Sequence, residues 1–249
     1  MSCYTSNNPC LSPDADAGYS IKPSDSQLFS LIVSKRIAMR TIYLYIQDTL
    51  ADWEPAHILA ELRSGNYLKD PSLRHDLVLC GRTMDTITTM GGLQLNPEVL
   101  IADIHPGPGD LLLLPGAETW LDPGQAPVIA KAREVLEGDA VVAAICGATF
   151  GLANAGLLDN RPHTSNDLAA VTMFCPHYTG ERFYVNEPAV TDGNLITSSG
   201  MAPVEFAYQV FKTLGVMLPE TLEAWLGLYT TKKPEYFYAL MQSLPRPPG

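Results

Sequence analysis

The chain has 249 residues, 46% of them apolar and 17% charged, which is enough to build one substantial hydrophobic core. Its formal net charge of −11 and a pI of about 4.8 speak against nucleic acid or an anionic membrane surface as a partner. No stretch reaches the ~18 uninterrupted apolar residues of a membrane span.

In chain order, residues 1–38 stand apart. Asn7-Asn8-Pro9, Ser12-Pro13-Asp14 and Pro23-Ser24-Asp25 are turn formers without hydrophobic periodicity. The short apolar run 28–33 follows acidic residues and makes a poor signal peptide. A flexible leader is expected here, or a true start at Met39 and a domain over 39–249. From Thr41 the pattern becomes an alternation of strands and helices. A β-branched and aromatic run over 41–46 predicts a strand, and Asp52 is placed to cap a helix carrying Trp53, Ile58, Leu59 and Leu62 that ends near Gly65. A second strand is expected over 76–81, a side hairpin around Gly91-Gly92, and a third strand over 110–114, apolar throughout as a strand covered on both faces should be. Helix 128–136, strand 140–145 and helix 148–155 follow, the last stopped by Gly156. Asp192-Gly193 predicts a hairpin turn, and 203–214 a helix. Residues after Leu218 have a helical tone and end in a Pro-rich tail. Such alternation predicts an α/β fold with a mainly parallel sheet between helical layers, and places chemistry beyond the carboxyl ends of the strands.

Cys146 lies at such an end. In Ala144-Ile145-Cys146-Gly147-Ala148, the residues two before and two after the cysteine are small, as a nucleophile elbow demands. A thiol at a helix N-terminus feels unpaired amides that favour thiolate. The same pattern also suits a buried cysteine at a strand end. The remaining cysteines, Cys3, Cys10, Cys80 and Cys175, are scattered. That usage fits a reducing, cytoplasmic compartment and neither a disulfide framework nor a zinc ribbon. The five histidines lack ligand spacing, so neither a metal nor another cofactor is expected.

The segment from Ala143 to Ala153, followed by Gly156-Leu157-Leu158-Asp159, resembles the PfpI group of the class I glutamine amidotransferase-like superfamily. That superfamily includes intracellular proteases, glyoxalase- and deglycase-type enzymes and the parkinsonism-associated oxidative-stress protein. Asp52-Trp53-Glu54 is similar to its acidic motif, Leu114-Pro115-Gly116-Ala117 to its Pro-Gly-Gly turn, and 190–200 to its closing hairpin and loop. The resemblance spans about 41–214 and implies a flavodoxin-like three-layer α/β/α sandwich, a homodimer, and a small-molecule substrate. It implies that Glu54 leans on Cys146 and that the amides of Ala117 and Gly147 hold an oxyanion. On its own residues, Glu54 reads instead as an exposed first-turn glutamate favoured by the helix dipole, and only the resemblance turns it toward the site. Like charges cannot both ionise at close range, so Glu54 and Cys146 are expected to titrate together.

One departure from the family concerns the base. Many relatives carry a histidine where this chain has Asn166, in His163-Thr164-Ser165-Asn166. An amide cannot take a proton. His163, three residues away along an expected strand, would point to the opposite face. His177 in a loop and His57 on the Glu54 helix are accessory candidates or structural residues, and Trp120 either walls the pocket or covers the core. The leading expectation is a cysteine-dependent hydrolase or lyase acting on a small amide, peptide or carbonyl adduct, without glutaminase activity. The alternative is a redox or stress-response protein whose cysteine is reversibly oxidised.

Overall fold

The computed structural model describes residues 39–245; the expected leader over 1–38 lies outside them. Two runs dictate the architecture. In Leu111–Leu114 (β6) and Val141–Ile145 (β7) every residue is buried. Leu111, Leu113, Val141, Ala143 and Ile145 face one hydrophobic cluster, while Leu112, Leu114, Val142 and Ala144 face another. Side chains alternate along a strand, so an all-apolar strand requires cover on both faces. These two strands form the centre of a seven-stranded sheet.

Around them pair Met39–Tyr45 (β1), Arg74–Gly81 (β2), Val99–Leu100 (β5), Ala189–Asp192 (β8) and Leu195–Ser198 (β9), in the order β5-β2-β1-β6-β7-β9-β8. All pairings are parallel except β8 with β9, the hairpin turning at Asp192-Gly193. Ile87–Thr88 (β3) and Gln94–Leu95 (β4) form the small side hairpin. One face is covered by Ala56–Ser64 (α1), Pro203–Leu214 (α5) and Pro219–Thr231 (α6), through Ile58, Leu62, Phe206, Val210, Phe211 and Trp225. The other is covered by Ala126–Leu136 (α2), Gly147–Asn154 (α3) and Leu168–Phe174 (α4), through Val128, Ala132, Val135, Ala148, Leu152 and Val171. This is the expected three-layer α/β/α sandwich. Pro234–Ser243 (α7) packs on α6. No helix among the described residues is long and apolar enough to cross a membrane.

Three local expectations need correction. Asp52 does not cap α1, which starts at Ala56 with Pro55 before it and no side-chain cap. Its carboxylate instead accepts the Thr89 hydroxyl and the Gly91 N–H, both at 2.6 Å, and so ties the side hairpin to the loop after β1. Trp53 therefore lies in a turn, half exposed, rather than on the helix. The run 163–166 is not a ladder strand: it makes one isolated bridge, His163 with Tyr184. Helix α4 was not anticipated; Asp167 caps it by accepting the Ala170 N–H at 2.9 Å.

Candidate active site

Strand β7 ends at Ile145 and α3 begins at Gly147, leaving Cys146 to turn the chain within one residue. It does so at φ 58° and ψ −125°, a conformation costing a non-glycine residue on the order of 1–3 kcal/mol. Its surroundings hold it there. The Cys146 N–H donates to the Ser198 carbonyl on β9 at 3.0 Å, while its own carbonyl accepts the Thr149 N–H at 3.0 Å and the Thr149 hydroxyl at 2.6 Å. Ala144 and Ala148 are fully buried on either side, where a larger side chain has no room.

Two glycines let the neighbouring loops close on the sulfur. A Cβ on Gly116, just after β6, would stand 2.8 Å from both Cys146 Cβ and Glu54 Oε2. One on Gly200, just after β9, would stand 2.8 Å from Cys146 Sγ and 3.0 Å from Glu54 Oε1. Cβ atoms do not approach other heavy atoms so closely, so both positions must lack one.

Glu54 reaches this point from the turn after β1 and is completely buried. Its Oε2 accepts the Gly116 N–H at 2.5 Å. Oε1 is buried without a hydrogen-bond partner, in the space it shares with the Cys146 side chain. Burial raises the Glu54 pKa, and the Gly116 N–H opposes this without cancelling it. Cys146 is raised as well, first by burial and then by the Glu54 charge, against the lowering influence of Asn166 and the Gly147 amide. The helix N-terminus was expected to favour thiolate outright; burial outweighs it. The Glu54 charge thus disfavours the thiolate beside it.

Asn166 completes the contacts of the sulfur. Its Oδ1 accepts the Gly200 N–H at 2.8 Å, and its Nδ2 donates to Cys146 Sγ at 3.3 Å. Because a backbone N–H can only donate, the amide oxygen must face Gly200 and the NH2 must face the sulfur. Where a histidine would exchange a proton, this chain presents a fixed donor.

The structure brings Glu54, Asn166, Ala117 and Gly147 together around Cys146. Ala117 and Gly147 line the same cleft as the sulfur, and the Ala117 N–H has no acceptor among the described residues. The histidines are elsewhere. His57 packs edge-on against Trp225 and Tyr229, at 5.8 and 4.8 Å between ring centroids. His163 is fully buried; Nδ1 lies 2.8 Å from the Arg161 carbonyl and so carries the proton, leaving Nε2 to accept the Tyr178 hydroxyl at 2.8 Å. His177 is exposed on the turn after α4 and does not line the Cys146 cleft. Cys80 and Cys175 are buried, and burial pushes their thiols up to about 12 and about 11. Among the described residues no cluster of three or more His, Cys, Asp or Glu is placed to hold a metal ion.

The DJ-1/PfpI family model matches residues 40–213, nearly the whole sheet with its covering helices except α6. The chain belongs to the DJ-1/PfpI family. It thereby falls in the class I glutamine amidotransferase-like superfamily, and its sandwich is the flavodoxin-like fold of that group. It is 46% identical over 207 residues to a Bacillus subtilis protein named uncharacterized protease YoaZ, covering 83% of this chain and 99% of that one. Among solved structures, a thiJ/pfpI family protein from Bacillus anthracis superposes with a TM-score of 0.80 at 43% identity, covering 84% of this chain and 98% of that one. A DJ-1 superfamily protein from Agrobacterium tumefaciens, Atu0886, follows at a TM-score of 0.66 and 32% identity, covering 78% and 99%.

Within this DJ-1/PfpI site, sequence reasoning gives Gly200 and Ser198 no role at the sulfur and names only Trp120 of the cleft wall. The cleft, about 290 Å³, is walled by Trp120, Leu121, Phe150 and Phe174. Trp120 fills both roles considered for it: its ring is buried against Tyr45 and its indole N–H donates to the Pro115 carbonyl at 2.8 Å, yet it also lines the cleft. Gly200 lies in the closing loop, but its approach to the sulfur follows only from the pairing of β9 beside β7. Phe174 carried no signal, because only the fold brings α4 to α3.

Proposed function

We propose that this protein is a cysteine-dependent hydrolase acting on small acyl or carbonyl compounds, with Cys146 as nucleophile. The observation that carries the proposal is the convergence on one strained sulfur of a proton-holding carboxyl, Glu54, and a fixed donor, Asn166. The thiol proton passes to Glu54, and the thiolate is held by the Asn166 amide. The sulfur electron pair then attacks the substrate carbonyl carbon, and the carbonyl π pair moves to oxygen, where the Ala117 and Gly147 amides receive it. With an ester, collapse of this alkoxide expels the leaving group as an anion and leaves a thioester, and Glu54 gives up its proton to solvent. With a glyoxal, which has no leaving group, the hemithioacetal becomes a thioester by transfer of its C–H hydrogen to the neighbouring carbonyl carbon, whose oxygen takes the proton from Glu54. Water adds to the thioester, the acyl group departs as a carboxylic acid, and the thiol is restored.

With Asn166 in place of a base, no exposed group among the described residues meets the sulfur that could both take and return a proton. Leaving groups that depart as stable anions are therefore favoured, and ammonia from glutamine is disfavoured. The protease name of the Bacillus subtilis relative supports acyl transfer as the reaction class. A homodimer, which the family resemblance implies, and a cytoplasmic location, which the cysteine usage suits, belong to the same proposal; light scattering on the purified chain tests the dimer.

The test is turnover of activated esters, glyoxals and glutamine by wild type and Cys146→Ala. Ester or glyoxal turnover abolished in the variant, with no ammonia from glutamine, supports the proposal. An inert wild type whose Cys146 is readily and reversibly oxidised by peroxide would instead make the thiol a redox sensor.

A further inference from the structure

The sulfur opens into one cleft and not into its neighbour. Asn166 stands between two depressions. The polar one, lined by Asn186, Glu187, Ser199 and Glu205 among others, does not include Cys146. The other, about 290 Å³, includes both Cys146 and Gly147. Its walls are Trp120, Leu121, Phe150 and Phe174, with Phe150 and Phe174 stacked at 6.3 Å and 22°. Phe174 and Leu121 remain 54% and 39% exposed, so their apolar surface is available to a ligand. Among the described residues the only charged side chain lining the cleft is Glu118, and no basic one lines it.

We infer that this cleft is an acyl-side specificity pocket, which selects uncharged substrates carrying an aromatic or branched aliphatic group and rejects those carrying a carboxylate. Burying an apolar group against four large apolar side chains removes its surface from water, at roughly 25 cal/mol per Å². An anionic substrate would meet Glu118 and the buried Glu54–Cys146 charge with no cation to offset them. The acyl side is assigned because the proposed reaction leaves the acyl group on Cys146, which lines this cleft, while the leaving group departs. The inference rests on Cys146 being the nucleophile.

The test compares p-nitrophenyl acetate, p-nitrophenyl hydrocinnamate and the p-nitrophenyl monoester of succinate, each rate divided by that of the reagent with free N-acetylcysteine. Wild type should favour hydrocinnamate over acetate by at least about tenfold in kcat/KM and disfavour the succinate monoester. The aromatic preference should fall several-fold in Phe174→Ala, with Leu121→Ala as a second variant at a more buried wall. Equal corrected rates for acetate and hydrocinnamate, or a ratio indifferent to both variants, would overturn the pocket while Cys146-dependent turnover still supported the hydrolase. If no ester turns over, the hydrolase assignment fails, and labelling of Cys146 by N-benzylchloroacetamide against chloroacetamide decides the pocket. A tenfold preference for the benzyl reagent supports it; equal labelling overturns it.

Discussion

Asn166 should control how much of Cys146 is ionised, and replacing it separates a donor from a bystander. Its Nδ2 lies 3.3 Å from Sγ, within reach of a hydrogen bond to sulfur, and Gly200 fixes the amide so that the donor cannot rotate away. A hydrogen bond to a charged acceptor contributes about 1.5–3 kcal/mol. Asn166 is exposed, so water partly replaces it, and the lower end of that range applies. Asn166→Ala should then lower the thiolate population near neutral pH by about tenfold, since ~1.4 kcal/mol is a factor of ten. Asn166→Asp keeps the shape and the acceptor for Gly200 but sets a second anion against the sulfur, so it should lower the population further. The assay is the second-order rate of iodoacetamide labelling at Cys146, followed by peptide mass spectrometry, with thiolate ultraviolet absorbance against pH as a control. The expected order is wild type, then alanine, then aspartate. Equal rates in all three proteins would show that the amide does not hold the sulfur.

Other outcomes follow from the same geometry. Substoichiometric iodoacetamide should label Cys146 well before Cys80 or Cys175, whose thiols burial pushes up to about 12 and about 11; earlier labelling of either in the folded protein would contradict the site. Gly200→Ala, whose methyl would stand 2.8 Å from the sulfur, should reduce labelling of Cys146 by about tenfold or more while circular dichroism keeps the native spectrum; an unchanged rate would mean that the loop yields without effect. Glu54→Gln should be more stable than wild type near neutral pH. A carboxyl whose folded pKa lies above its unfolded value contributes stability below the unfolded value and loses it as pH rises through the folded one. The thermal gain of the glutamine variant should therefore shrink as pH falls toward 4.5, the ordinary glutamate value. A gain independent of pH would show that Glu54 is not the titrating group.

The sheet and the elbow could be read from sequence because their causes are local. The four leucines of 111–114 and the run 141–145 are apolar at every position, which only a doubly covered strand explains, and the alanines at 144 and 148 mark the crowding around the turn at Cys146. What could not be read depends on residues brought together from afar. Asp52 looked like a helix cap because a cap is local; its actual partners, Thr89 and Gly91, lie 37 and 39 residues away. Gly200 meets the sulfur only because β9 pairs beside β7. The balance at Cys146 is hidden for the same reason: the helix N-terminus that favours thiolate is visible in sequence, but the burial of Glu54 and the sulfur that opposes it is not. His57 shares a helix with residues near Glu54, yet α6, arriving more than 160 residues later in the chain, claims it through Trp225 and Tyr229.

The central claim is that Cys146 takes an acyl group from substrate. The most direct measurement is intact-protein and peptide mass spectrometry during turnover of p-nitrophenyl hydrocinnamate, quenched in acid. Wild type should carry one hydrocinnamoyl group, confined to the peptide containing Cys146, released by hydroxylamine and absent from Cys146→Ala. An acyl group found on another residue, or ester turnover by Cys146→Ala at the wild-type rate, would contradict the account.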